Sequence, residues 1–94
     1  MYFIELTYKA AMQEIDKWLS LHKEYLTPFM QSGRIMLSGR KVPRTGGFIL
    51  ADFTSAAEVD EFILNDPFFK QQLADYKTMQ LEPTGFGPQF NKPS

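Results

Sequence analysis

The 94-residue chain has no cysteine, which excludes disulfides, thiolate nucleophiles and sulfur-ligated zinc or iron-sulfur centres. It has a single histidine, His22, and one imidazole without a second ligand nearby makes a poor metal site. No apolar run approaches the roughly 20 residues of a membrane span, and the start, MYFIELTYKAA, lacks the basic stretch and apolar core of a signal peptide. Blocks of one charge are also missing: ten basic and eleven acidic residues give a formal charge of -1, without long runs. This leaves no electrostatic footprint for nucleic acid or an anionic membrane. There is no Gly-x-Ser-x-Gly nucleophile elbow. The short Arg44-Thr45-Gly46-Gly47 stretch is followed by no helix N-terminus that would make it a phosphate loop. A soluble cytoplasmic protein is the expectation.

Apolar residues, by contrast, are plentiful: 44% of the chain, including nine Phe, four Tyr and one Trp. That is the composition of a packed domain rather than a disordered segment. A single domain this short leaves a large share of its surface exposed, so help from a second subunit is plausible from the outset.

Alternation of Tyr2, Ile4, Leu6 and Tyr8 against Phe3, Glu5 and Thr7 predicts a first strand. A long helix follows, with Met12, Ile15, Leu19, Leu26 and Phe29 recurring at three- and four-residue steps and no clean N-cap ahead of it. Pro28 inside that pattern predicts a kink or an end near Thr27, and Gly33 is placed to close the segment. Strands are expected at Ile35 to Ser38 and Phe48 to Phe53, antiparallel and joined by the turn-rich Lys41 to Gly47 loop. Ser55 to Glu58 reads as a capping box for a helix that buries Val59, Phe62 and Ile63. Asp66-Pro67 then restarts a shorter helix, Asp66 as N-cap and Pro67 at the first position, with Phe69 and Leu73 pointing inward. A last strand is expected from Tyr76 to Leu81.

The order is βαββαβ, that of a ferredoxin-like α+β sandwich with an antiparallel sheet. The domain is assigned to residues 1–84 and a Gly/Pro-rich tail to residues 85–94. Both alternation sets of the middle strands are largely apolar (Ile35 and Leu37 against Met36; Phe48 and Leu50 against Ile49, Ala51 and Phe53). The sheet face away from the helices therefore predicts a homodimer with sheets packed together.

The missing member of the long helix's apolar stripe is His22. Placed inward, the ring needs a hydrogen-bond partner, and Asp66 is the candidate. The residues alone leave two readings open. In one, the pair is a catalytic dyad in which the carboxylate fixes the tautomer and the free nitrogen moves a proton. In the other, His22 is satisfied by a backbone carbonyl and Asp66 only caps a helix. Ser38, Arg40 and Arg44, at the exit of the second strand and in its loop, are candidate ligands for a substrate carboxylate or hydroxyl. Trp18 and Tyr25 flank the stripe as packing residues.

His22-x-x-Tyr25-Leu26, Gly33-Arg34 before a strand ending Ser38-Gly39, Gly46-Gly47 opening the next, and Asp66-Pro67-Phe68 together make this chain resemble the YCII-related family over nearly its whole length. The resemblance implies a dimeric α/β barrel and an active site of histidine and aspartate, which fall on His22 and Asp66. Two departures stand out. Leu19 sits where many members carry an arginine, and Arg40 where many have proline, so a binding role for that arginine does not carry over. Related barrels run lactone isomerisation, dehydrochlorination and cofactor-free oxygenation, so the resemblance implies proton transfer on a small organic ligand, an elimination or isomerisation without a cofactor. The alternative is a dimer that binds a small molecule or regulates a partner without turnover.

Overall fold

A computed structural model describes residues 1–90. The elements are β1 (Tyr2–Tyr8), α1 (Met12–Gln31), β2 (Ile35–Arg40), β3 (Gly46–Ala51), α2 (Ala56–Leu64), α3 (Pro67–Lys70) and β4 (Ala74–Gln80), followed by a 3-10 turn at Pro88–Phe90. The strands form one antiparallel sheet in the order β2-β3-β1-β4. That order and the split second helix make the fold ferredoxin-like. Of the tail expected at residues 85–94, the last four lie outside the described residues. Among the described residues, no helix is long and apolar enough to cross a membrane.

The alternation in β1 places Tyr2, Ile4 and Leu6 under the helices, where they meet Ile15 and Leu26 of α1, Ile49 and Ala51 of β3, and Val59, Phe62 and Ile63 of α2. Burial of this one continuous apolar layer is the main favourable term in the fold. At one end of it Tyr25, Phe29, Phe53 and Phe62 interlock, with ring centroids 4.9 to 6.0 Å apart. The Tyr25 hydroxyl donates to the Phe62 carbonyl at 2.7 Å, which ties α1 to α2.

Several expectations change in detail. Helix α1 runs through Pro28 to Gln31. Proline removes only its own N–H from the ladder, and its carbonyl still accepts from Ser32 at 3.0 Å, so the last turn closes. Gly33 then takes the left-handed conformation, φ +81°, that ends the helix. Met12, the first residue of α1, is exposed; the buried face begins one turn later at Ile15. Strand β2 extends to Arg40 and β3 begins at Gly46, because these residues continue the ladder through Arg40 opposite Gly47. β3 ends at Ala51 rather than Phe53, and β4 begins at Ala74, opposite Tyr8.

The two α-helical restarts behave as their caps require. Ser55 Oγ accepts from Glu58 N at 3.2 Å, while the Glu58 carboxylate reaches one residue past the usual capping-box partner, to Thr54 N at 2.8 Å. In α3 the inward aromatic is Phe68, 1% exposed, and not Phe69, which is 39% exposed. The expectation of an inward Phe69 is thereby corrected, while Leu73 is buried as expected. Asp66 caps the Phe68 N–H and so anchors that residue at the inner side of a helix only four residues long.

The register of β2 decides what enters the space below α1. Ile35 lies opposite Ala51, but Leu37 lies opposite Leu50, with an irregularity between them. A one-residue bulge switches the face of everything after it. Ile35 and Leu37, expected on one face, therefore lie on opposite faces. Ser38 and Arg40, level with Ile49 and Gly47, turn to the helix side. The other face of the sheet carries Phe3 stacked on Phe48 (6.3 Å, 16°), Leu50, Leu37 and Met79, with Glu5, Thr7, Lys41 and Lys77 toward its other end.

Candidate active site

His22 sits midway along α1 on its buried face, and Asp66 is the last residue before α3. The fold brings them together across 44 residues of sequence: His22 Nδ1 lies 2.8 Å from Asp66 Oδ1. Asp66 is fully buried and His22 is 9% exposed. A buried carboxylate is tolerable only when its oxygens are hydrogen-bonded, and here three groups serve them. Oδ1 faces His22 Nδ1 and accepts the Phe68 N–H at 3.1 Å. Oδ2 accepts the Tyr76 hydroxyl at 2.6 Å. The helix cap and the histidine's hydrogen-bond partner are thus the same carboxylate.

The imidazole plane is set as firmly as its edge. Phe68 stacks on it with centroids 4.1 Å apart and planes 3° from parallel. The ring is clamped between a carboxylate on Nδ1 and an aromatic face. His22 Nε2 makes no hydrogen bond to the described residues and is not sealed off. It is the ring atom left for a cavity of about 560 Å³ that His22 and Phe68 line.

Leu6, Leu19, Leu26 and Ile49 contribute apolar wall to this cavity. Gly47 lines it without a side chain, and a Cβ there would come within 2.8 Å of the Gly39 carbonyl. Ser38, Arg40 and Arg44 line the same space as His22, so four of the five residues singled out in the sequence border one cavity, while Asp66 lies buried behind His22 and reaches the cavity only through that ring. They are not equivalent. The Arg44 guanidinium is engaged by Asp16, Nη2 to Oδ1 2.6 Å, and this hydrogen bond holds its pKa above the ordinary arginine value. Arg40 makes no ion pair among the described residues, and neither does Lys23, the neighbour of His22 that also lines the cavity. No carboxylate lies among the lining residues, so the cavity is lined by positive charge over an apolar floor.

Sequence reasoning missed Tyr76, Phe68 and Lys23 as parts of this site. A signal existed for the first: a buried acid has two oxygens, and an inward-facing tyrosine in the last strand is the kind of donor that the second one needs. For Tyr76, burial above all and then the charge of Asp66 push the phenol far above its ordinary pKa, so it is a protonated hydrogen-bond donor at neutral pH. Among the described residues no cluster of His, Asp and Glu suits a metal ion.

Residues 1–82 match the family model described as the YCII-related domain. No curated protein matches the chain. Among solved structures the chain is similar to the 5-chloro-2-hydroxyhydroquinone dehydrochlorinase of Burkholderia phenoliruptrix AC1100 in complex with 2,5-dihydroxybenzoquinone. The TM-score is 0.74, with 23% identity over 87% of this chain and 94% of that one. This likeness establishes the ferredoxin-like fold.

Proposed function

The chain belongs to the family of YCII-related domains, and from that premise we propose that it is an enzyme that moves a proton on a small anionic organic molecule. His22 is its base and acid, and Asp66 orients the ring. The observation that carries this reading is the buried His22–Asp66 hydrogen bond with Nε2 left over at a cavity lined by cations.

In an elimination, Nε2 takes a proton from the substrate, the electron pair left behind forms a new double bond, and the leaving group departs with its bonding pair. In an isomerisation the same nitrogen returns the proton at another carbon. Asp66 stabilises the imidazolium formed in between and does not itself need to take the proton. Arg40 and Ser38 hold the carboxylate, phenolate or hydroxyl of the substrate, with Lys23 adding charge at the rim; Arg44 shapes the loop through Asp16. The structural neighbour is a dehydrochlorinase with a bound dihydroxybenzoquinone, and a planar ring bearing acidic hydroxyls suits an apolar floor beneath cationic walls. Halogenated hydroxylated rings are therefore the first substrates to try, and small lactones the second.

The test is a panel of chlorinated hydroquinones, chlorinated hydroxybenzoates and small lactones, read by chloride release and by absorbance, for the wild type and His22→Ala. Loss of a general base or acid lowers turnover about 100-fold or more. Equal turnover by both proteins would end the reading. Saturable binding without turnover by either would leave a binding module instead.

The apolar half of the outer sheet face supports assembly as a homodimer, since patches of this kind are association surfaces. Sedimentation should find a dimer at micromolar concentration and a monomer for Leu37→Glu. A wild-type monomer would refute the pairing without touching the site.

A further inference from the structure

We propose that Tyr76 is a positioning residue: its hydroxyl, donated to Asp66 Oδ2, keeps Asp66 an acceptor toward His22, so that the proton of the neutral ring stays on Nδ1 and Nε2 carries the lone pair. The inference rests on the reading of His22 as the proton carrier.

The hydrogen bonds around Asp66 favour one placement of the protons. The Phe68 N–H can only donate, so Asp66 Oδ1, which receives it at 3.1 Å, is an acceptor. With that oxygen ionised and accepting, His22 Nδ1, 2.8 Å away, is the donor. What remains is whether Asp66 carries a proton on Oδ2. The only partner of Oδ2 among the described residues is the Tyr76 hydroxyl at 2.6 Å, and that hydroxyl has no other acceptor there. Its proton therefore points at Oδ2, and a second proton on that oxygen would collide with it.

Tyr76 is built in from an independent element. It stands on β4 opposite Leu6, on the helix side of the sheet, and Phe69 packs against its ring at 5.8 Å and 74°. It touches the carboxylate from the side away from His22 and does not line the cavity of about 560 Å³. It cannot meet a ligand there, and its influence on Nε2 passes through Asp66. Without it, Oδ2 would be a fully buried charged oxygen with no donor. The carboxyl group would relieve that by binding a proton, and, no longer held by Tyr76, it could turn that O–H toward His22 Nδ1, which ends the role of the facing oxygen as a pure acceptor. The ring would then be free to place its proton on Nε2, where it cannot take another.

With one histidine in the chain, ring-nitrogen NMR reads this directly. Uniformly 15N-labelled wild type, at a pH where the imidazole is neutral, should show one tautomer, protonated on Nδ1, with that proton slow to exchange with water. Tyr76→Phe should show the Nε2-protonated form as well and lose the slow proton. Tyr25→Phe is the control: it removes a tyrosine hydrogen bond to a backbone carbonyl, lowers stability, and leaves the ring nitrogens as in the wild type. A folded Tyr76→Phe protein with an unchanged, purely Nδ1-protonated ring would overturn the proposal. Should that variant not fold, 3,5-difluorotyrosine at position 76 keeps the packing and strengthens the donor. It should draw charge from Oδ1 and move the Nδ1 proton signal upfield, and an unmoved signal would be the refutation. Neither measurement uses a substrate, so a protein that turns nothing over in the panel above still answers it.

Discussion

Asp66→Ala and Asp66→Asn separate the structural weight of the carboxylate from its charge. Alanine strands three donors, the ring Nδ1–H, the Phe68 N–H and the Tyr76 hydroxyl, in a place with no solvent exposure at Asp66. An unsatisfied buried donor costs about 1 to 3 kcal/mol. Because water can enter part of the vacated space, we expect a total of about 3 to 6 kcal/mol. A domain of this length holds about 5 to 14 kcal/mol, so Asp66→Ala should be at the edge of folding. Asparagine keeps the shape. The Phe68 N–H selects the orientation in which the amide oxygen faces His22, and the Tyr76 hydroxyl turns to accept from the amide nitrogen, so three hydrogen bonds survive. Its cost should be about 1 to 2 kcal/mol, with turnover lost because no charge remains to stabilise the imidazolium. Urea unfolding followed by the fluorescence of Trp18, the single tryptophan, at fixed protein concentration measures both. If Asp66→Ala costs less than about 1.5 kcal/mol, or Asp66→Asn costs as much as Asp66→Ala, the reasoning fails.

Three further outcomes follow from the structure. Arg34, by its hydrogen bond, lowers the pKa of Glu58. The stability from that pair is fully present above the ordinary glutamate value of about 4.3 and is lost as pH falls through the lower folded value. The gap in stability between wild type and Glu58→Gln, measured by urea unfolding, should shrink across that acid range and stay constant above it. Burial above all, then Asp66 and Glu61, push the Tyr25 phenol up to about 12. Its contribution is complete below the ordinary value of about 10 and is lost as pH rises toward the folded value, so Tyr25→Phe, though less stable at neutral pH, should show a flatter alkaline decline by circular dichroism. A Cβ on Gly46 would fall 1.9 Å from the Leu6 carbonyl, forcing β1 and β3 apart. Gly46→Ala should cost about 3 kcal/mol or more in thermal unfolding, and a change under about 1 kcal/mol would show that the ladder gives way easily.

The amino-acid order by itself determined the βαββαβ succession, since it is written in local periodicity and caps. Alternation in Tyr2 to Tyr8, Ser55 with Glu58, and Asp66 before Pro67 each act over a few residues. An inward-facing His22 was legible for the same reason, as a polar gap in an apolar stripe, and Ser38, Arg40 and Arg44 were legible as chemistry near it. What joined them was decided only by tertiary structure. The β2 bulge turns Ser38 and Arg40 to the helix side, and pattern reading has no access to a one-residue shift that depends on the partner strand. Which phenylalanine of the Phe68-Phe69 pair goes inward depended on how a one-turn helix sits against α1, too short a segment to have a periodicity. The engagement of Arg44 by Asp16 and of Asp66 by Tyr76 came from side chains on separate elements, whose distance is set by the packing of the sheet against its helices. A buried carboxylate announces that it needs donors, but only the folded chain selects them.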